Sequence, residues 1–101
     1  MTATASQPIR HEFTGSGPRL CFFEWGPADG EVVFLVHATG FHARCWDQVV
    51  AALPRELHVY AVDMRGHGRS EKLPPYRWDQ FSGDVAELMQ HLGLRGVIGV
   101  G

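Results

Sequence analysis

The chain alternates between short apolar runs and longer segments with helical spacing. The clearest run, Val32–Val36, has five consecutive apolar residues, three of them valine. It is too short for a helix and has no polar alternation, which predicts a strand buried on both faces of a sheet. Two further buried strands are predicted, one at His58–Val62 and one within residues 96–101.

Two segments carry apolar residues at helical intervals, which places those side chains on one helix face. The first face is formed by Trp46, Val49, Val50 and Leu53. The second is formed by Phe81, Val85, Leu88, Met89 and Leu92. We expect the first helix to begin near Arg44 and to end before Pro54. We expect Asp79 to cap the start of the second helix and Gly93 to follow its end.

Two more strands are predicted before these elements, at Ile9–Thr14 and Arg19–Trp25. The short turn between them favours antiparallel pairing. Strands that then alternate with helices predict an α/β domain with a mostly parallel sheet, an antiparallel first hairpin and flanking helices. We expect the strand order first, second, fourth, third, fifth. Residues 1–8 are predicted to be a disordered tail, and residues 9–101 a single continuous domain.

Composition adds mainly exclusions. With 45% hydrophobic residues, 20% charged residues and a net charge of −2, the chain is typical of a globular protein and offers no basic surface for nucleic acid. No apolar run approaches the roughly 18 residues of a membrane span. The amino terminus has no secretory pattern, so a cytoplasmic location is expected. Cys21 and Cys45 are expected to be reduced and packed as small hydrophobic residues.

The candidate chemistry lies just after the predicted parallel strands. His37-Ala38-Thr39-Gly40 follows the first buried strand, and a glycine-containing segment, residues 63–70, follows the next. Small residues let the backbone approach a ligand closely. Open α/β sheets bind ligands at the carboxyl ends of their strands.

These two loops, followed by a helix and Gly-Val-Ile-Gly-Val-Gly at residues 96–101, resemble the amino-terminal half of an α/β-hydrolase-fold enzyme. The resemblance implies that Gly101 is the first glycine of the G-x-S-x-G nucleophile elbow. The nucleophile would then lie two residues beyond Gly101, and the acid and histidine of the triad later still. On this basis residues 9–101 form an incomplete hydrolase domain, and the chain alone is expected to be inactive.

The resemblance also implies roles for the first loop. The backbone N–H of Thr39 would be one oxyanion-hole donor, and His37, Ala38 and Gly40 would complete the oxyanion loop. Ala38 replaces the first glycine of the usual His-Gly-x-Gly pattern, so the backbone must pass this position without a positive φ. His37 is expected to brace the loop through backbone hydrogen bonds, and Phe41 to line a substrate pocket.

The remaining polar residues receive structural interpretations. Asp63 and Arg65 are expected to hold their loop through hydrogen bonds and an ion pair, and Ser70 to be a turn or cap residue. His67 is placed where it could contact substrate, but a structural role is favoured. The six histidines show no zinc-binding spacing, and we expect neither a metal nor another cofactor.

Three functions remain open. The first is a serine esterase or lipase-like hydrolase acting on a small ester-like substrate. The second is an epoxide hydrolase or haloalkane dehalogenase with an aspartate nucleophile, although dehalogenases often have proline where Gly40 stands. The third is a non-catalytic truncated or binding protein on a hydrolase scaffold. The residue two positions after Gly101 would distinguish the first two, whereas the oligomeric state has no sequence signal.

Overall fold

The computed structural model of the protein describes residues 7–101, so most of the predicted tail at residues 1–8 lies outside the described residues. A five-stranded sheet has the order β1-β2-β4-β3-β5, which confirms the predicted order. The strands are β1 (Ile9–Thr14), β2 (Arg19–Trp25), β3 (Val32–Val36), β4 (His58–Val62) and β5 (Ile98–Val100).

The sheet is antiparallel at one side and parallel at the other. β1 pairs with β2 and β2 with β4 in antiparallel fashion, whereas β3 runs parallel to both β4 and β5. In the parallel register Val36 lies opposite Val62. The segments that follow β3 and β4 therefore leave the sheet side by side at the same edge.

Alternating side chains of the central strands supply two apolar layers, one on each face of the sheet. Val33 and Leu35 of β3 belong to one core cluster, whereas Phe34 of the same strand belongs to the other. All five residues of β4 are buried. The double-sided apolar character of Val32–Val36 thus has the cause inferred from its sequence, which is burial between two layers.

The first helical segment is shorter and less regular than its spacing predicts. A 3₁₀ turn at Ala43–Trp46 precedes α1 (Asp47–Ala52), and Leu53 already has extended backbone angles. The 3₁₀ turn changes the angular spacing of the side chains. Val50 is buried, but Val49 is 44% exposed, so its predicted place on the buried face is wrong.

The second helix, α2 (Trp78–Leu92), packs on the opposite face of the sheet through Leu88. Arg77 occupies the N-cap position and Asp79 lies in the first turn, where it pairs with Arg77, so Asp79 is not the cap. Gly93 ends the helix with φ 66°, as predicted. Its N–H donates to Gln90 O, and the next N–H donates to Met89 O, which forms a Schellman motif.

Two burial predictions are wrong. All three residues of β5 are exposed, because within residues 7–101 this strand pairs with β3 alone and lies at the sheet edge. Cys21 is fully buried, but Cys45 is exposed on the outer side of the 3₁₀ turn; neither forms a disulfide in the described part of the chain. Among residues 7–101 no helix has the length and apolar character needed to cross a membrane.

Candidate active site

The candidate site is built at the edge where the parallel strands end. Because Val36 and Val62 are register partners, the residues that follow them, His37 and Asp63, leave the sheet as neighbours. Both side chains are buried, with 4% and 2% of their surface exposed. The predicted oxyanion loop and the segment that follows β4 are thus adjacent.

The first loop is a type II β-turn over residues 38–41. Phe41 N–H donates to Ala38 O at 3.0 Å, and Gly40, the third residue of the turn, has φ 89°. No non-glycine residue among residues 7–101 has a positive φ, which leaves Ala38 and Thr39 in ordinary regions. This combination defines type II geometry and explains why glycine stands at position 40. Ala38 is therefore accommodated as the sequence required.

His37 connects the two loops through hydrogen bonds to the backbone of each. Its Nδ1–H donates to Ala38 O at 2.8 Å, and its Nε2 accepts the Met64 N–H at 3.0 Å. Because a carbonyl can only accept and an N–H can only donate, these partners define the neutral Nδ1–H tautomer. Burial lowers the pKa of His37 from its ordinary value of 6.5, which favours the same neutral form. These are the backbone hydrogen bonds expected of His37.

His67, a residue of the second loop, also connects the two loops, through a hydrogen bond to Gly40 that was not predicted from the sequence. Its Nε2 accepts the Gly40 N–H at 3.0 Å, and its Nδ1–H donates to Arg65 O at 2.9 Å. The ring lies 4.9 Å from that of His37 and 6.0 Å from that of Phe81. The only sequence signal for this role was the pair of glycines flanking His67, which predicts a tight turn but not its partner.

Asp63 and Ser70 hold the second loop against the rest of the sheet. Asp63 accepts the Ala43 N–H at 2.7 Å and the Arg69 N–H at 2.9 Å. The Ser70 hydroxyl donates to the backbone carbonyl oxygen of Asp63, and Ser70 Oγ also accepts the Cys21 N–H. Ser70 is 4% exposed and its hydroxyl is used in both directions, which is the structural role predicted for it.

Arg65 forms an ion pair, but its partner is Asp84 of α2, a residue that the sequence interpretation did not select. Nε and Nη2 of Arg65 each donate to one Asp84 oxygen at 2.7 Å, and Nη1 donates to Leu73 O and Pro75 O. The side chains are only 4% and 9% exposed. Hydrogen bonding to Asp84 raises the pKa of Arg65 further above its already high value. The sequence did contain a signal for this partner, because Asp84 lies between Phe81 and Leu88 on the buried face of α2.

In contrast to these buried polar residues, Thr39 and Phe41 of the first loop are exposed. Phe41 has 57% of its surface accessible, so it is not a core residue. Thr39 N–H donates to no group within residues 7–101, whereas the next N–H, that of Gly40, is occupied by His67. Gly101 lies beside the end of β3, because a Cβ placed on it would be 3.6 Å from Val36 O.

An open cleft of about 640 Å³ lies to one side of the loop, lined by Pro8, Arg10, Phe23, His42, Arg44, Asp63, Gly68 and Arg69. It does not include Thr39 or Phe41. Arg10 and Arg44 each have an acidic partner, Glu12 and Asp47, which reduces the positive charge of the cleft. Within the described part of the chain, no group of three His, Cys, Asp or Glu side chains is placed to hold a metal ion.

Comparison with known proteins places these loops in a family context. Residues 32–101 match the model of the alpha/beta hydrolase family. Over 90 residues the chain is 34% identical to a bifunctional esterase/perhydrolase of Acinetobacter calcoaceticus and 37% identical to a non-heme chloroperoxidase of Streptomyces lividans. Each alignment covers 87% of this chain and 33% of the relative. The chain therefore spans about a third of the length of these relatives.

The fold is shared with solved hydrolases. An alpha/beta hydrolase from Novosphingobium aromaticivorans superposes with a TM-score of 0.86 over 95% of this chain and 35% of its own, at 23% identity. A thioesterase domain from the curacin biosynthetic pathway superposes with a TM-score of 0.83, also over 95% and 35%, at 24% identity. The matched family model covers β3, β4, β5 and both loops of the candidate site, and the chain belongs to the alpha/beta hydrolase family.

Proposed function

We propose that the chain is the amino-terminal part of a serine hydrolase that cleaves small carboxylic esters, and that Thr39 N–H is one donor of its oxyanion hole. The observation that carries the proposal is this N–H itself. Thr39 is an exposed residue, its N–H has no partner among residues 7–101, and it belongs to a turn braced by His37 and His67. Such a fixed and unused donor suits stabilisation of a developing negative charge.

The register of the sheet supports this assignment. β3 and β5 pair Val33 with Ile98 and Leu35 with Val100, a constant offset of 98 − 33 = 65 positions. Continued by the same offset, the second position after Gly101 is level with Ala38. A nucleophile there would lie beside the Thr39 N–H, as attack on a carbonyl requires, because the oxyanion forms next to the new bond.

In the proposed mechanism each catalytic group has one role. A serine hydroxyl two residues after Gly101 attacks the ester carbonyl, and its proton passes to a histidine later in the chain, which an acid orients. The carbonyl oxygen becomes an oxyanion, which accepts the Thr39 N–H and the N–H of the residue after the nucleophile. Collapse of the intermediate breaks the bond to the alkoxide, which leaves as the alcohol with the proton from that histidine, and water then hydrolyses the acyl-serine to release the acid and the free enzyme. Of these groups, residues 7–101 supply the Thr39 donor and its supports.

The ester substrate class is supported by the names of the relatives. Besides the esterase/perhydrolase, the chain is 32% identical over 89 residues to 3-oxoadipate enol-lactonase 2 of Acinetobacter baylyi, with 84% of this chain and 33% of the relative aligned. The first name includes an esterase activity, and the second describes a lactonase. A haloalkane dehalogenase loop variant from Bradyrhizobium elkanii is similar at 22% identity, which is a likeness of fold. An aspartate two residues after Gly101 would favour that second chemistry over ours.

The test removes the proposed N–H donor from the turn. Thr39→Pro removes the N–H, yet proline is a favoured residue at the second position of a type II turn. In the protein expressed from the reading frame that continues past Gly101, we expect Thr39→Pro to lower kcat for p-nitrophenyl butyrate about 10²–10³-fold. Thr39→Ala, which keeps the N–H, is the matched control and should stay within about twofold of the parent.

Two outcomes would contradict the proposal. One is a Thr39→Pro variant that folds, as judged by circular dichroism, and keeps the parent kcat. The other is a parent protein with no esterase activity above the uncatalysed rate. The second outcome would favour an aspartate nucleophile or a binding protein on the hydrolase scaffold, and the residue two positions after Gly101 would separate these.

A further inference from the structure

We propose that His67 is a positioning residue that locks the oxyanion loop in its type II conformation, by accepting the Gly40 N–H. This inference rests on the proposed function of Thr39 but is tested separately from it. Types I and II differ mainly by a flip of the central peptide, here Thr39–Gly40, and glycine at the third position tolerates both. The turn sequence alone therefore does not determine which conformation the loop adopts.

The hydrogen bond to His67 discriminates between the two conformations. In the observed turn the Gly40 N–H points at His67 Nε2, at 3.0 Å. A flip of the central peptide would turn this N–H away and place the Thr39 carbonyl oxygen on the side of His67 instead. The Nε2 lone pair attracts an N–H and repels a carbonyl oxygen, because it is itself an acceptor. The type II form is thus favoured twice, by a bond gained and by a repulsion avoided.

The imidazole can act in this way because it is held in one tautomer. Arg65 O accepts the Nδ1–H at 2.9 Å, which leaves Nε2 unprotonated and directed at Gly40. Arg65 is in turn held by two 2.7 Å hydrogen bonds to Asp84. The ring also packs against His37 and Phe81. The oxyanion loop is therefore anchored through His67 to helix α2, as well as through His37 to the end of β4.

Three substitutions at position 67 separate the hydrogen bond from the packing. Phe keeps an aromatic ring against His37 and Phe81 but removes both polar contacts. Asn can place a donor near the Nδ1 position but offers no acceptor at the Nε2 position. Gln can place its Oε1 near the Nε2 position and so can still accept the Gly40 N–H. If His67 acts through Gly40, the Gln variant should resemble the parent and the other two should resemble each other.

The first arm of the test needs no catalytic step and is measured by NMR on the longer protein that the proposed function requires. With ¹⁵N-glycine and ¹⁵N-histidine labelling, NMR should show an unprotonated Nε2 and a protonated Nδ1 at His67. Exchange of the Gly40 amide with water should quicken about fivefold to tenfold in His67→Phe and His67→Asn, consistent with loss of one hydrogen bond. His67→Gln should restore the parent rate. The Gly93 amide, which donates within the helix cap, is the internal reference and should not change.

The second arm measures esterase kinetics on the same longer protein that the proposed function requires. Because His67 would hold the turn that carries the Thr39 donor, and this donor acts in the transition state, kcat should fall about tenfold in His67→Phe and His67→Asn while KM stays within about twofold. His67→Gln should recover most of the loss. Equal Gly40 exchange rates in all four proteins, or an unchanged kcat in a His67→Phe variant with fast Gly40 exchange, would overturn the inference. Failure of the proposed function differs, since Thr39→Pro would then be harmless while the Gly40 exchange pattern persisted.

Discussion

Removal of the Asp84 carboxylate should be among the most destabilising single changes in this chain. Asp84→Ala leaves the Arg65 guanidinium buried, with 4% of its side chain exposed, and with only the carbonyl oxygens of Leu73 and Pro75 as partners. Breaking a buried ion pair by deleting one member typically costs about 3–5 kcal/mol. Because both side chains are at least nine-tenths buried, we apply this range without a discount for solvent screening.

The assay is urea unfolding followed by circular dichroism. With a slope of about 1.5 kcal/mol per M, a loss of 3–5 kcal/mol lowers the unfolding midpoint by roughly 2–3 M. Asp47→Ala is the matched control, because Asp47 also pairs with an arginine, Arg44, but the two side chains are 40% and 38% exposed. Exposed pairs contribute about 0–1 kcal/mol, so the control midpoint should fall by well under 1 M.

A double variant separates the cost of an unpaired buried charge from the loss of the ion pair. Arg65→Met combined with Asp84→Leu removes both charges together, so no unpaired charge remains buried. This protein should be more stable than Asp84→Ala, since buried ion pairs replaced by apolar residues often lose little stability. The argument would be refuted if Asp84→Ala cost no more than Asp47→Ala, or if the double variant were the least stable of the three.

Three further predictions concern the first loop, helix α2 and His37. Gly40→Ala should destabilise by about 1–2 kcal/mol from the positive φ alone, because a Cβ there would meet no atom within 4 Å. Gly83→Ala in α2, equally open, should stabilise by about 0.5–1 kcal/mol. A urea midpoint that did not fall in Gly40→Ala would contradict the first prediction, and one that did not rise in Gly83→Ala would contradict the second. His37, whose pKa burial lowers from 6.5, should make stability fall as pH drops below about 6.5, because only the unfolded chain then takes up this proton. His37→Gln should reduce that fall between pH 7.5 and 5.5, and an unchanged pH dependence would refute the assignment.

The sheet was predictable because its signal is local. A run such as Val32–Val36 can be satisfied only by burial on two faces, and the crossover rule then restricts the strand order to few choices. The position of the site follows from the same facts, since parallel strands bring their carboxyl ends to one edge. For this reason the sequence could place the loop that contains Thr39 at the carboxyl edge of the sheet, and the strand order then predicts that the loop after β4 lies beside it.

What sequence did not predict depends on contacts between distant elements. The pairing of Arg65 with Asp84 and of Gly40 with His67 joins residues 19 and 27 positions apart, and no spacing rule connects them. Val49 is exposed although Val50 beside it in α1 is buried, and apolar spacing alone did not distinguish these two neighbours. The exposure of β5 depends on its neighbours in the sheet rather than on its own valine and isoleucine.

The central claim, that the Thr39 loop serves a nucleophile just after Gly101, is tested most directly by mapping covalent labelling. The longer protein that the proposed function requires is treated with a fluorophosphonate probe and digested, and the modified residue is identified by mass spectrometry. We predict one equivalent of label on a serine two residues after Gly101, and none on the 101-residue chain treated alone. Label on Ser70 or on any other residue of the 101, or no label on the longer protein, would contradict the account.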